Sequence, residues 1–543
     1  MPNQQLSERR RNVPVLIVGA GPVGLSMGLL LGRFGIPALI VERNSTTTDH
    51  PKARGCFART MEIFRVWGVD LAIRGRGLPN GADHWAVGHR PADLRATRPE
   101  IDPGQTPVWK SIVAQDAVEE ELLKAVRGYP STELSFDTEC TEFEQDRDGV
   151  TARVVHRLSG VETEIRCHYL IACDGAGSRI RKIAGVAMTG IPSIGFMAND
   201  YLRVDLSDFP VARAAAAMLL APLDAGDSWL TLLNTDGRNR WLVFRKIGSA
   251  KDERPRVPSD DEVIADAKRR LGVDRRVEVI NRSSWCSARE VAERYREGRV
   301  FLAGDSAHRF LPTGGQGMNT GIADAHNLAW KLAFSLTGAM DASVLDTYDI
   351  ERRPVGNNTA DFQVRTGKRL SVVQERIDLA DDDSFAFWTD ELEKHVKSVG
   401  LTLGQWYPEG ALLADETTPP NFDPERYTPV DRPGHRFPHV WIDHAKTEST
   451  IDWFDRAFVL ITGPMAHEWR TAGAQLAADM RAPLTIKTLE APDRERGIMI
   501  GRHGAVLVRP DGYVAWRCAW RPAHALAELR EVLLALGIRL KRE

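Results

Sequence analysis

The run Val15-Leu16-Ile17-Val18-Gly19-Ala20-Gly21-Pro22-Val23-Gly24 constrains the fold more than any other part of the chain. A short apolar, β-branched segment ends in Gly-x-Gly-x-x-Gly. A helix-forming run from Leu25 to Phe34 follows, then a second apolar segment, Ala38 to Val41, which delivers Glu42 and Arg43. Strand, glycine turn, helix, strand and acid in this order predict a Rossmann-type unit that binds a dinucleotide. Gly19 allows the tight turn, Gly21 lets backbone approach a diphosphate, and Gly24 lets the helix pack close to the strand. Pro22 and Val23 lie where the helix begins, and its free N–H groups and positive dipole end suit phosphates. Glu42 is placed to accept hydrogen bonds from a ribose 2′-OH. The alternative is a glycine-rich turn that binds nothing. The flanking strand, helix and acid argue against it.

At 543 residues the chain has room for two to four domains, each with its own core. A net charge of −3 gives no electrostatic case for nucleic acid or an anionic membrane. No apolar run approaches the roughly 18 residues a membrane helix needs. Arg9-Arg10-Arg11 precedes apolar residues as in an export signal, but glycines and Pro22 interrupt that run and a nucleotide fold explains it better. The six cysteines are scattered without C-x-x-C or metal-ligand spacing, which predicts reduced thiols in a cytoplasm and no metal. Cys167 and Cys173 are expected to flank or line a buried strand.

Two further segments repeat the pattern of a strand feeding a turn. In Tyr169 to Arg181, an apolar run delivers Asp174-Gly175, and Ser178 and Arg181 open a helix. Asp174 could orient amides around a diphosphate and Arg181 could meet phosphate or nicotinamide-side groups; equally, Asp-Gly makes an ordinary N-capped turn. In Arg299 to His308, another run ends in Gly304-Asp305, and a glycine-rich loop through Pro312, Gly314, Gly315, Gln316, Gly317, Met318 and Asn319 feeds a helix. Asp305 is placed to accept hydrogen bonds from a sugar-alcohol chain. Gly314 to Gly317 would present bare N–H groups to a flat ring at a helix N-terminus, where developing negative charge is stabilised. His308 reads as a structural histidine, because only His326 stands near it and the glycine loop separates the two. Trp285, Trp330 and Trp516 read as core or interface residues.

Together, Gly19-x-Gly21-x-x-Gly24, Asp174-Gly175-x-x-Ser178-x-x-Arg181 and Gly304-Asp305-x-x-His308 resemble the class A flavoprotein monooxygenases built on the para-hydroxybenzoate hydroxylase fold, over roughly residues 13 to 360. The resemblance implies non-covalent FAD. It implies that Arg54 and Gln115 lie along that FAD, that Pro312 sits beside the flavin ring, and that Gly315 to Met318 cover its pyrimidine side. It also implies NADPH or NADH and O2 as co-substrates, and ring hydroxylation through a flavin C4a-hydroperoxide. The sequence names no catalytic base.

The tail reads as a further small α/β unit: strand 457–462, helix 466–480, strand 484–489, a hairpin around Pro510-Asp511-Gly512, and helix 523–536. With Pro433-Gly434-x-Arg436-x-Pro438-His439, it resembles the C-terminal thioredoxin-like domain of phenol and aromatic-polyketide hydroxylases. It lacks a cysteine pair, so packing or assembly is expected rather than redox work. The expected architecture is α/β. A Rossmann-like FAD-binding domain (1–186 and 285–405) carries an inserted β-rich substrate domain (187–284), a linker (406–438) and a thioredoxin-like domain (439–543). Residues 78–110, with His84, Trp85 and Trp109, are expected to help roof the substrate site.

The chain has one dinucleotide fingerprint, so a nicotinamide donor must act without a domain of its own. No cationic anchor stands out, which favours a larger, mostly apolar phenolic or polycyclic substrate over a small acid, in aromatic natural-product biosynthesis or phenol degradation. Baeyer–Villiger or other flavin oxidation, and a non-catalytic flavin-binding homologue, remain open. So does assembly as a monomer or homo-oligomer.

Overall fold

The computed structural model describes residues 9–79, 84–97, 104–250, 255–490 and 496–541. Parts of the expected roof, 80–83 and 98–103, lie outside the described residues. The first sheet is built as the apolar runs dictate. Arg9–Val18 pairs in parallel with both Ala38–Val41 and Glu162–Ala172, and the latter pairs in parallel with Val300–Leu302. The register aligns Val18 with Val41 and with Ala172, and Ala172 with Leu302. The glycine turn, Glu42, Asp174-Gly175 and Gly304-Asp305 therefore emerge side by side from one carboxyl edge, where open α/β sheets place ligands. Cys167 is buried within its strand and Cys173 follows the strand's end.

A second sheet of eight strands lies against this unit. It takes Met188–Arg203, Ala217–Leu220, Leu230–Asn234 and Arg240–Ser249 from the predicted insertion. Trp85–Gly88 joins it in parallel to Ala217–Leu220. The expected boundary at 284 falls inside the strand Glu278–Ala292. Strand alternation divides the sheet's two faces. Leu202, Trp241, Val243, Leu230 and Leu232 pack under the helix Asp260–Leu271. The opposite face carries a row set by register: Asn281, Tyr201, Leu242, Leu233, Ala217 and Trp85.

In the tail, Phe458–Thr462 pairs in parallel with Leu484–Thr488 and antiparallel with Ala505–Val508, which pairs with Val514–Cys518. Helices His467–Asp479 and Ala525–Ala535 complete a thioredoxin-like unit.

The segment 406–438 is not a loose connection. Its last part, Pro433 to Pro438, is buried, and Phe437 belongs to the core of the tail unit with Ile451, Phe454 and Val459. Arg436, fully buried, ion-pairs with Glu62 on the helix Ala58–Trp67 of the first unit. Proline and glycine content suggested a linker; here those residues shape a tightly packed strap. Phe458, Leu460 and Trp469 also join the core that contains Val15 to Val18, so the tail is continuous with the dinucleotide unit.

Candidate active site

The glycine turn has the geometry its spacing demands. Gly19 has φ +108°, and a Cβ there would lie 2.3 Å from the Cys173 carbonyl oxygen. A Cβ on Gly24 would lie 1.9 Å from the Gly19 oxygen, whereas one on Gly21 would meet nothing within 4 Å. The turn is thus closed where helix and strand meet and open toward the cleft. The helix Pro22–Arg33 begins there with no side-chain cap, which leaves its first N–H groups for a ligand. Glu42 spans the turn, accepting from the Ala20 N–H at 2.8 Å and from the Asn44 backbone at 2.9 Å. Arg43 is exposed, and its carbonyl accepts from Arg157 at 3.0 Å.

Opposite, the helix Gln316–Leu336 also starts without a side-chain cap, behind Gly315 in the left-handed region. The Gly315 N–H donates to the Pro312 carbonyl at 3.0 Å, and Pro312 itself is exposed. Asp305 reaches this helix, because a Cβ on Gly317 would lie 3.9 Å from its carboxylate. Asp305 is open to the cleft yet ringed by protein, and burial pushes its carboxyl pKa up. Met318 is buried behind the loop.

Several predicted site residues are committed to the protein itself. Asn319 accepts from the Phe57 N–H (2.9 Å) and the Thr60 hydroxyl (2.7 Å), and donates to the carbonyls of Gly55 (3.1 Å) and Gly315 (3.0 Å). Its amide is fully used, so it fixes the loop around Arg54 to the glycine loop. Asp174 accepts from the Ser178 hydroxyl (2.5 Å) and the Ile180 N–H (3.1 Å), the capped turn that its sequence left open. Arg181 donates to the Ser306 carbonyl at 2.9 Å, so it braces two turns. Gln115 donates to Glu119 at 2.7 Å, and burial raises the Glu119 carboxyl to about 7.

Among the described residues, Arg54 has no carboxylate partner. Its guanidinium donates to the carbonyls of Ala216 and Asn234 (2.9 Å to the latter), its Nε has no partner, and burial lowers its pKa to about 9. A desolvated cation held only by carbonyls is a site prepared for negative charge.

His308 is buried and structural. Its Nε2 lies 2.9 Å from the Asp324 carboxylate, which also accepts from the Gly304 N–H (3.1 Å) and Arg352 (2.8 Å). No metal-binding group of three His, Cys, Asp or Glu exists among the described residues. Asn327, three positions beyond Asp324, begins a second charged cluster reaching the tail: Glu351 accepts from Asn327 (2.6 Å), from Lys331 (2.8 Å) and from Arg509 (2.8 and 2.9 Å), and Arg509 is also paired with Asp511.

The sequence missed the polar groups facing the cleft from the second sheet and the segment above it. His50 lies 2.5 Å from the Asn281 side chain and 3.0 Å from the Ser283 hydroxyl, and burial lowers its pKa. Tyr201 stands between Asn281 and the apolar part of the row, its hydroxyl 3.5 Å from that of Thr235. Asp116 has an unpartnered buried oxygen and, through burial, a raised pKa, and lies within electrostatic reach of Tyr201 and His50. Only the adjacency of Asp116 to Gln115 hinted at this group.

Residues 12–363 match the family described as "FAD binding domain", and residues 430–536 match "Aromatic-ring hydroxylase, C-terminal". The chain is 36% identical to a putative polyketide hydroxylase of Streptomyces halstedii, covering 93% of each. It is 34% identical to the tetracenomycin A2 monooxygenase-dioxygenase of Streptomyces glaucescens, covering 96% of each. The chain belongs to the FAD-dependent aromatic-ring hydroxylases. Among solved structures, the flavin-dependent monooxygenase PieE in complex with FAD and substrate superposes with TM-score 0.87 at 30% identity, covering 97% of this chain and 99% of that one. An aklavinone-11 hydroxylase in a ternary complex with FAD and aklavinone gives 0.83 at 30% identity, covering 99% and 100%.

The residues of this hydroxylase fit FAD. Two uncapped helix N-termini, an open position at Gly21, a cleft-facing Asp305 and an unneutralised Arg54 supply the donors, acceptor and positive charge that a diphosphate, a ribityl chain and an electron-accepting ring require.

Proposed function

We propose that the protein is a single-component, cytoplasmic monooxygenase that uses NAD(P)H and O2 to hydroxylate a phenolic or polycyclic aromatic ring. The apolar row Leu242, Leu233 and Ala217, with Tyr201 at one end, facing the cleft between Arg54 and the Gln316–Leu336 helix, carries this reading. Bound FAD supplies the activation of oxygen. Gly19, Gly21, Pro22, Val23 and Gly24 would hold its diphosphate, Glu42 its ribose and Asp305 its ribityl chain, with Gln115 and Arg43 nearby. Pro312, Gly315, Gly317 and Met318 would border its ring.

The chain's own residues then have three tasks. Leu242, Leu233 and Phe244 hold a flat ring and keep water from it, which protects a reactive oxygen species from release as peroxide. Tyr201 and Asn199, whose side-chain oxygen is unpartnered, orient a phenol. Asp116, whose carboxylate burial makes more basic, accepts the phenolic proton, which enriches the ring for electrophilic attack. The tail unit serves packing.

A panel of phenols and polycyclic quinones, assayed for stimulated NAD(P)H oxidation with product mass and peroxide yield, tests the proposal. One oxygen atom added to the ring per NAD(P)H is expected. Peroxide alone with every compound, or oxygen inserted beside a ring ketone, refutes it.

A further inference from the structure

A hollow of about 790 Å³ opens at the end of the second sheet, beside the strand ends that hold Arg54. Its polar lining includes Arg213, Arg238, His84, Asn234 and Asn239, with one carboxylate among the described residues, Asp205, which accepts from the Ser207 N–H at 2.9 Å.

The charge pairing around it is uneven. Just outside, Arg240 is paired with Asp236 (2.9 Å), Arg275 with Asp208 (2.7 Å) and Arg203 with Glu278 (2.9 Å). Inside, the guanidinium groups of Arg213 and Arg238 have no hydrogen-bond or ion-pair partner among the described residues. The local sequence is rich in acids, and it provides partners for the arginines around the hollow but not for the two lining it.

Asn234 is the shared wall. Its side chain faces the hollow's rim, accepting from the Gly237 N–H at 2.9 Å, and its backbone carbonyl holds Arg54 on the flavin side. Three guanidinium groups without carboxylates thus converge on one strand end. The second hollow, of about 460 Å³, offers no such charge: it is lined by Trp229, Ile377 and Leu379, and its charged residue is Asp378.

A nicotinamide dinucleotide is a polyanion, and the single fingerprint of this chain is taken by FAD. We infer that the hollow lined by Arg213 and Arg238 receives the diphosphate of the reduced nicotinamide dinucleotide, and so sets the donor beside Arg54 and the flavin edge. This rests on the proposed use of NAD(P)H as reductant. Guanidinium forks suit phosphate oxygens bidentately, and the volume lies within the range of nucleotide sites. The aromatic substrate keeps the apolar face of the sheet to itself.

The test uses the FAD-loaded protein and ADP-ribose, which carries the diphosphate but cannot reduce flavin. Calorimetry compares wild type with Arg213→Ala/Arg238→Ala, alongside anaerobic flavin reduction by NADH and NADPH. The expected result is an ADP-ribose Kd raised at least tenfold, KM for the nicotinamide raised with kcat little changed, and FAD content and melting temperature unaltered. Arg213→Lys/Arg238→Lys should recover part of the affinity, more so at low salt. No ADP-ribose binding by wild type, or equal binding by both proteins, overturns the inference. So does a loss confined to the aromatic ligand, which would make the hollow a subsite for an acidic substrate group. Failure of the reductant reading shows separately, as wild-type flavin that neither nucleotide reduces with any aromatic present.

Discussion

Asp324→Asn isolates the support beneath the Gly304-Asp305 turn. The change is nearly isosteric, so no cavity term enters; the effect is electrostatic. One Asp324 oxygen accepts from Gly304 N–H (3.1 Å) and His308 Nε2 (2.9 Å), and the other from Arg352 (2.8 Å). An asparagine oriented to serve Gly304 turns its NH2 toward Arg352; flipped, it turns NH2 toward Gly304 and His308. Either way at least one bond is lost. Arg352 is buried and would keep only the Tyr407 hydroxyl and the Thr320 carbonyl, both neutral and both at 3.2 Å. Breaking a buried ion pair from one side costs about 3–5 kcal/mol. A loosened turn beneath Asp305 should weaken FAD by about tenfold, or about 1.4 kcal/mol. Urea unfolding followed by flavin fluorescence reads the first effect, and FAD titration of the apoprotein reads the second. A midpoint and an FAD Kd both equal to wild type would refute the assigned support.

Asp305→Ala should weaken FAD roughly ten- to hundredfold, since a charge-assisted hydrogen bond contributes about 1.5–3 kcal/mol; unchanged affinity in the same titration counts against its role. Arg509→Met should destabilise the union of tail and FAD unit by about 3–5 kcal/mol, with partial recovery in Arg509→Met/Asp511→Asn, and thermal unfolding showing less than about 1 kcal/mol would contradict the cluster's importance. Burial lowers His326 to about 3 and His435 and His439 to about 4, so all three stay neutral when folded. Their unfolded forms protonate below about 6.5; stability should therefore be complete above that pH and fall toward pH 4, by about 2 kcal/mol per histidine at pH 5. A flat denaturation profile from pH 8 to 5 would exclude this. If Asp116 accepts the phenolic proton, the acid limb of kcat should lie above the ordinary carboxylate range and flatten in Asp116→Asn; an unchanged profile removes it from the mechanism.

Local chemistry carried the cofactor unit. The turn at Gly19 to Gly24, the alternation of apolar strands with helices and the hairpin at Pro510-Asp511-Gly512 are set by residues within a few positions of one another, so the sequence by itself determined them, and with them the FAD motifs. Partners far apart in the chain were another matter. Pro433 to Pro438 reads as a linker until Arg436 meets Glu62, 374 residues away. The brace from Arg181 to Ser306 exists only because the parallel register brings the two turns together. His50, Asp116 and Tyr201 have no common pattern, because they come from a loop, a helix start and a strand that only sheet packing assembles. Backbone conformation responds to near neighbours; the burial of a charge depends on which distant group arrives to neutralise it, and that was decided by the tertiary structure.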